Sequence, residues 1–159
     1  MIRIGFGYDV HKYVKDRELI LCGIKLEYEL GLLGHSDADC PTHALMDAML
    51  GALSLGDIGK LFPDSDPALK GISSMVLLDE CVRIMEEKGY AIGNADITIV
   101  AQKPKISPYT EMMRESLASH LHCSVDDINI KATTEEKLGF TGDLSGMKSY
   151  AVVVLKKNV

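Results

Sequence analysis

Apolar and polar residues alternate weakly over residues 2–10, which is the two-residue period of a strand, and Leu19 to Ile24 predicts a second strand between charged and glycine-containing turns. Beyond a loop punctuated by Gly31 and Gly34 the period lengthens. Leu45, Met49 and Ala52/Leu53 recur at helical spacing and predict a helix from Cys40 to about Leu55. Asp39 or Ser36 can cap its start, Pro41 fits a first turn where a missing N–H costs nothing, and Gly56 closes it. The stretch Asp57 to Asp64 then reads as a loop. A second, more amphipathic helix spans Ser74 to Lys88, with Val76, Leu77, Cys81, Ile84 and Met85 at helical spacing and Lys88-Gly89 as its stop. Ile92 to Val100, rich in β-branched residues, is a strand. Pro108 to His122 is a third helix, with Met112, Met113, Leu117 and Leu121 expected on one side. Ile128 to Ala132 and Met147 to Lys156 are the last strands.

The resulting order, β-β-α-α-β-α-β-β, predicts an α+β fold: one mixed β-sheet with helices packed on one face, in a single domain covering residues 1–159. Helices on one face leave the other bare, and a bare apolar face calls for self-association.

Composition narrows the function classes. With 159 residues and 47% hydrophobic content, the chain can bury a core of its own. No apolar run approaches the ~18 residues of a membrane helix, and the first residues have no charged segment followed by a long apolar one, so a cytoplasmic protein with no membrane partner is expected. Cys22, Cys40, Cys81 and Cys123 are scattered without a C-x-x-C pair, as free thiols of a reducing compartment would be. A net charge of −6 with no basic stripe disfavours nucleic-acid binding. Phosphates would then be held by metal ions, helix N-termini and backbone amides.

Three stretches carry candidate chemistry. In Asp9-Val10-His11, residues two apart on a strand point to one side and present a carboxylate oxygen and an imidazole nitrogen together, two ligands of a zinc site. The same spacing is also met at ordinary exposed strand ends. His43, in the first turn of the predicted helix, is the natural third ligand, leaving the open position that catalytic zinc keeps; a helix-surface histidine is the alternative. The second stretch, Gly34-His35-Ser36-Asp37-Ala38-Asp39, runs into a helix N-terminus and can hold an anion, although capping by Ser36 or Asp39 explains much of it; nothing local requires His35. The third runs from Lys131 through Ala132-Thr133-Thr134-Glu135-Glu136 to Gly142, with hydroxyls, carboxylates and glycines suited to magnesium-assisted phosphate handling or to a solvated loop. Ala101-Gln102-Lys103-Pro104-Lys105-Ile106-Ser107 is a proline-stiffened strand-to-helix loop that is equally open in meaning.

Taken in order, Gly7 to His11, Gly31 to Asp39, Leu55 to Pro67 and Lys131 to Gly142 resemble the cyclodiphosphate synthase family of the non-mevalonate isoprenoid pathway, and the resemblance extends over essentially the whole chain. It implies Zn²⁺ held by Asp9, His11 and His43, with a substrate phosphate as the fourth ligand, and a second ion, Mg²⁺ or Mn²⁺, held by Glu136. It implies that His35 and Thr134 orient phosphate and stabilise the transition state. Ser36, Asp57, Ile58, Gly59 and Phe62-Pro63-Asp64-Ser65-Asp66 would meet the methylerythritol phosphate, with Val10, Glu135 and Phe140 also in the substrate-binding segments. The loop Ala101 to Ser107, with Ala132 and Thr133, would receive the cytidine. The implied reaction converts a CDP-linked methylerythritol phosphate to a cyclic diphosphate and CMP, in a homotrimer whose sheets line the threefold axis and whose active sites lie between subunits. This reaction needs no protein nucleophile, which agrees with the lack of an obvious Ser-His-Asp or Cys-His pair.

Two positions depart from the family pattern. Asp143 stands where many members carry Arg, and Tyr150 where they carry Glu; in those members the pair borders an axial cavity that can hold an isoprenoid diphosphate. Asp143 would repel such a ligand. A zinc-dependent diphosphate hydrolase and a non-catalytic trimeric nucleotide-binding module are the alternative functions.

Overall fold

A computed structural model describes residues 1–159. Strand β1 (Ile2–Val14) is followed by a hairpin of β2 (Leu19–Leu21) and β3 (Ile24–Leu26), and by a short β4 (Gly31–Leu32). Helix α1 (Cys40–Ala52), the single turn α2 (Ile58–Leu61) and helix α3 (Ser74–Glu87) come next, then β5 (Tyr90–Val100), α4 (Thr110–Leu121), β6 (Ile128–Thr133), the short α5 (Gly139–Gly142) and β7 (Gly146–Lys157). The main sheet has the order β4-β1-β7-β5-β6; β5 and β6 are parallel and the other pairs antiparallel. This is the mixed sheet expected of an α+β fold.

Strand β1 departs from the usual arrangement in which apolar residues face the core. Ile2, Ile4, Phe6, Tyr8 and Val10 point to solvent, and Val152 of β7 joins them. The helix-facing positions are Arg3, Gly5, Gly7, Asp9, His11 and Tyr13. Glycine is required here because α1 lies directly against the strand: a Cβ on Gly5 would sit 1.7 Å from the Ala48 carbonyl oxygen, and one on Gly7 would sit 1.8 Å from that of Ala44. The two glycines let the helix backbone approach, so the next residues on the same face, Asp9 and His11, meet the first turn of α1, where His43 stands. Below them Leu45, Met46, Met49 and Leu50 of α1, Leu78 and Met85 of α3, and Ile97 and Ile99 of β5 are fully buried.

Several elements differ from the sequence expectation, the short β4 and α5 among them, which lie where loops were expected. The single strand expected over Leu19 to Ile24 is a hairpin whose turn places Cys22 (φ 52°) and Gly23 (φ 75°) in the left-handed region. Cysteine is not a usual turn residue; the turn is held because the buried Asp39 carboxylate accepts hydrogen bonds from the backbone N–H of Cys22 and of Gly23, each at 2.8 Å. The same carboxylate caps α1 at the N–H of Thr42, so Asp39 rather than Ser36 is the cap. In the loop expected from Asp57 to Asp64, Asp57 caps α2 instead. On α3, Val76 is exposed, and the buried side is Met75, Leu77, Leu78, Cys81, Val82 and Met85.

Candidate metal centre and substrate clefts

Asp9 and His11 project from β1 and His43 from α1 so that one ligand atom from each lies within 4.8 Å of the others. His11 Nε2 is 2.7 Å from Asp9 Oδ2, and His43 Nδ1 is 3.6 Å from that same oxygen. Tetrahedral zinc with bonds of roughly 2.0–2.1 Å spaces its ligands about 3.3 Å apart, in the middle of these values. Asp9 Oδ2 and His11 Nε2 are buried, and despite their closeness neither has a partner at hydrogen-bond geometry. Orphaned buried polar atoms converging on one point are costly unless a ligand joins them. The residues therefore fit a metal ion.

The outer nitrogens of both imidazoles are already committed. His11 Nδ1 donates to the Leu33 carbonyl at 2.8 Å, which leaves the Nε2 lone pair facing the centre. A Cβ at position 34 would press on the His11 ring at 3.2 Å and on Ala38 at 2.9 Å, so Gly34 is part of the same fitting. On the helix, His43 Nε2 lies 2.8 Å from Ser74 Oγ and 3.2 Å from Ser36 Oγ, leaving Nδ1 toward Asp9. Burial lowers the pKa of His43, only partly offset by Asp9, and so favours the neutral imidazole that binds metal. For His11 burial acts the same way and is the largest influence, but the nearby negative charge of Asp9, with the Leu33 carbonyl, outweighs it and the net shift is upward. A metal therefore competes with a proton that is held more tightly on His11 than on an ordinary histidine.

Around the triad is a cleft of about 200 Å³, lined by Asp9, His11, His35, Ser36, His43, Ile58, Gly59, Phe62 and Asp64 among the expected residues and by Gly34, Leu69, Ile72 and Leu77 among those not anticipated. His35 Nε2 is 3.0 Å from the Asp66 carbonyl and donates to it, so a neutral His35 ring offers only an acceptor at Nδ1. Donation to a phosphate from that side requires the imidazolium. Arg17 braces the loop from behind, donating to the carbonyls of Gly34 (2.8 Å) and Ser36 (2.6 Å).

A second trough of about 570 Å³ is lined by Ala101 to Ser107, Ala132, Thr133 and Thr134. These are the residues expected around the cytidine, joined by Tyr28, which no pattern in the sequence marked. Tyr13 packs edge-on against Tyr28 with ring centroids 5.7 Å apart and donates its hydroxyl to the Lys103 carbonyl at 2.6 Å, stiffening the wall. The two clefts share no lining residue.

Other expected residues lie outside both clefts. Val10 points to the opposite face of the sheet. Asp57, Pro63, Ser65 and Asp66 belong to the segment beside the first cleft, where Asp57 and Asp66 cap local turns. Glu135 is engaged internally, accepting from Lys148 and from the Thr141 hydroxyl, and Lys148 Nζ stands 5.5 Å above the Phe140 ring. Its neighbour Glu136 is exposed, with φ 54° and an N–H donated to Thr134 Oγ1 at 3.3 Å. Adjacent glutamates thus have different duties: one holds the loop, and the other is free to bind.

The model of the YgbB family matches residues 2–156. The chain belongs to the YgbB family. Among relatives in this family, a protein of Desulfitobacterium hafniense named 2-C-methyl-D-erythritol 2,4-cyclodiphosphate synthase is 56% identical over 157 residues, covering 99% of each chain. Among solved structures, the bifunctional IspDF of Campylobacter jejuni superposes with a TM-score of 0.95 at 42% identity; 99% of the present chain matches 42% of that longer one. The IspF of Plasmodium falciparum in complex with CDP gives a TM-score of 0.87 at 35% identity, covering 99% of this chain and 97% of that one. No helix in the structure is long and apolar enough to cross a membrane.

Proposed function

We propose that this YgbB-family chain converts 4-CDP-2-C-methyl-D-erythritol 2-phosphate to 2-C-methyl-D-erythritol 2,4-cyclodiphosphate and CMP, as a phosphorus–oxygen lyase. The observation that carries the proposal is the convergence of Asp9, His11 and His43 beside a phosphate-sized cleft, in a chain 56% identical over 157 residues to a relative named for that product. An oxygen of the 2-phosphate attacks the β-phosphorus. The bond from that phosphorus to the bridging oxygen breaks, and CMP leaves with the electron pair.

Attacker and target are both anions, so placement and charge neutralisation are the main requirements. Asp9, His11 and His43 would hold Zn²⁺, and Glu136 would hold Mg²⁺ or Mn²⁺; bound there, these ions supply Lewis-acid neutralisation of phosphate oxygens. The chain's own residues do the rest. His35 and Ser36 border the cleft that would take the 2-phosphate end, with Ile58, Gly59 and Phe62 as its apolar floor. Thr134, which lines the second trough, would donate its hydroxyl to the diphosphate, and the walls Ala101 to Ser107 would receive the cytidine. Holding the two reacting groups in line can contribute roughly 7–11 kcal/mol.

Size and surface support an assembly of several copies. A cleft of about 200 Å³ is below the ~300 Å³ usual for a whole ligand, and the nucleotide trough is lined by other residues. Ile2, Ile4, Phe6, Tyr8, Val10 and Val152 form an exposed apolar face that a second and third copy would bury. A homotrimer with its sheets around the axis, each active site taking the metal half from one chain and the nucleotide half from its neighbour, accounts for both facts.

The reaction is tested by ³¹P NMR of the CDP-linked substrate incubated with the protein, Zn²⁺ and Mg²⁺. Equal amounts of CMP and a cyclic diphosphate are expected. CMP with a product carrying two separate phosphate monoesters would instead mark a hydrolase, and binding of CMP without turnover would mark a nucleotide-binding module; either outcome defeats the proposal.

A further inference from the structure

We propose that Ser74, oriented by Asp37, is a positioning residue that fixes the tautomer of His43 and thereby sets how tightly the metal centre holds its ion. This rests on the reading of Asp9, His11 and His43 as zinc ligands and adds a residue that the family motifs do not mark.

Ser74 is the first residue of α3 and is fully buried. Its hydroxyl proton goes to Asp37 Oδ1, in a short contact, while its backbone N–H donates to Asp37 Oδ2 at 3.0 Å. Asp37 is anchored in turn: Oδ1 also accepts from the Asp39 N–H at 3.2 Å, and its own N–H donates to the Ile72 carbonyl at 3.0 Å. A hydroxyl has one proton. With that proton on Asp37, Ser74 Oγ can only accept, and the group 2.8 Å away is His43 Nε2. The imidazole proton is therefore held on Nε2, and the lone pair is presented from Nδ1, the atom 3.6 Å from Asp9 Oδ2. The opposite tautomer would put an N–H at the ligand position and a lone pair against a hydroxyl with no proton to give. Ser36 Oγ, 3.2 Å from Nε2, already accepts the Ala38 N–H at 3.2 Å and offers Nε2 a second, weaker acceptor.

His11 is oriented differently, by the backbone carbonyl of Leu33. No side-chain substitution removes that partner. Ser74 is thus the point at which sequence controls ligand orientation in the centre, and the relay also ties the loop before α1 to the start of α3.

The test is zinc affinity by chelator competition for the wild type, Ser74→Ala and Ser74→Thr, together with the ¹⁵N imidazole spectrum of the zinc-loaded wild type. Ser74→Ala is expected to weaken zinc by about 10–100-fold, and Ser74→Thr to restore it, the range typical for loss of a group that orients a ligand. The wild-type spectrum is expected to show His43 protonated at Nε2 and metal-bound at Nδ1. Equal affinity of wild type and Ser74→Ala, or a His43 protonated at Nδ1, overturns the relay. The spectrum decides alone if Ser74→Ala does not fold. Absence of zinc from the wild type would overturn the ligand assignment instead, so the two failures are distinguishable.

Discussion

The triad of Asp9, His11 and His43 and the carboxylate of Glu136 are the two expected metal positions, and one chain builds them to very different degrees. The triad stands on a strand and a helix locked together by Gly5 and Gly7, with its outer nitrogens bonded to Leu33 and Ser74. Glu136 stands on an exposed loop in a left-handed conformation, and only its neighbour Glu135 is tied down. The contrast separates what folding supplies from what ligands and neighbouring chains must supply. An ion at the triad would meet a pre-formed set of donors, whereas one at Glu136 would meet a lone carboxylate and would need a bound diphosphate to complete its shell, as magnesium sites at phosphates usually do.

Replacing His43 by Ala should show this most strongly: zinc content, read by mass spectrometry of the purified protein, should fall to near zero and turnover by on the order of 10³-fold or more. Glu136→Gln should sharpen the comparison. Turnover should drop by about 10²-fold, while zinc content is unchanged. If zinc were lost with Glu136, the two positions would not be independent. Phe6→Asp places a charge on the bare sheet face, where each large apolar side chain is worth about 1.5–3 kcal/mol on burial. Sedimentation should then show dissociation of the expected trimer, with activity lost and zinc largely retained.

Acidity offers a gentler probe. In the metal-free fold His11 is held above the ordinary histidine value, so its protonation stabilises the fold fully below about pH 6.5 and this contribution is lost as pH rises through the raised value. His43 is shifted downward, and its contribution is lost as pH falls toward its lowered value. Zinc needs both rings neutral. The melting-temperature difference between zinc-loaded and metal-free protein should therefore widen between about pH 6 and 8. A difference that narrows would contradict the ligand assignment. The smallest expected effect concerns Asp143 and Tyr150. Asp143 is hydrogen-bonded to Ser145, Tyr150 stacks on Phe6 and lies tilted against Tyr8, and Lys148, the nearby cation, is paired to Glu135. Calorimetry with an isoprenoid diphosphate should detect no sub-micromolar binding.

Much of this was legible along the chain because the periodic signals were strong. Helix α1 begins at Cys40 as expected, and β7 runs one residue beyond its expected limits at each end. Strand β1 extends four residues past the expected end, and the reason is instructive: its apolar residues face outward, and Gly, Asp and His occupy the face that normally signals burial. The Cys22–Gly23 turn was missed because the partner that makes it possible, Asp39, lies far along the chain. Motif reading singled out Asp9, His11 and His43, which the fold brings together, since two-residue spacing on a strand survives in sequence. It could not find Ser74, Leu33 or Tyr28, whose positions depend on contacts between separate elements, nor that Lys148 and Thr141 engage Glu135.

The division of one active site between two chains is tested most directly by complementation. His43→Ala and Glu136→Gln chains, each with activity at or below about a hundredth of wild type alone, would be co-expressed with different tags and the doubly tagged assemblies isolated. If the metal half and the nucleotide half come from neighbouring copies, every mixed trimer has one intact site among three, and activity should recover to about a third of the wild-type value per assembly. Mixed assemblies as inactive as their parents would show that each site is built within a single chain.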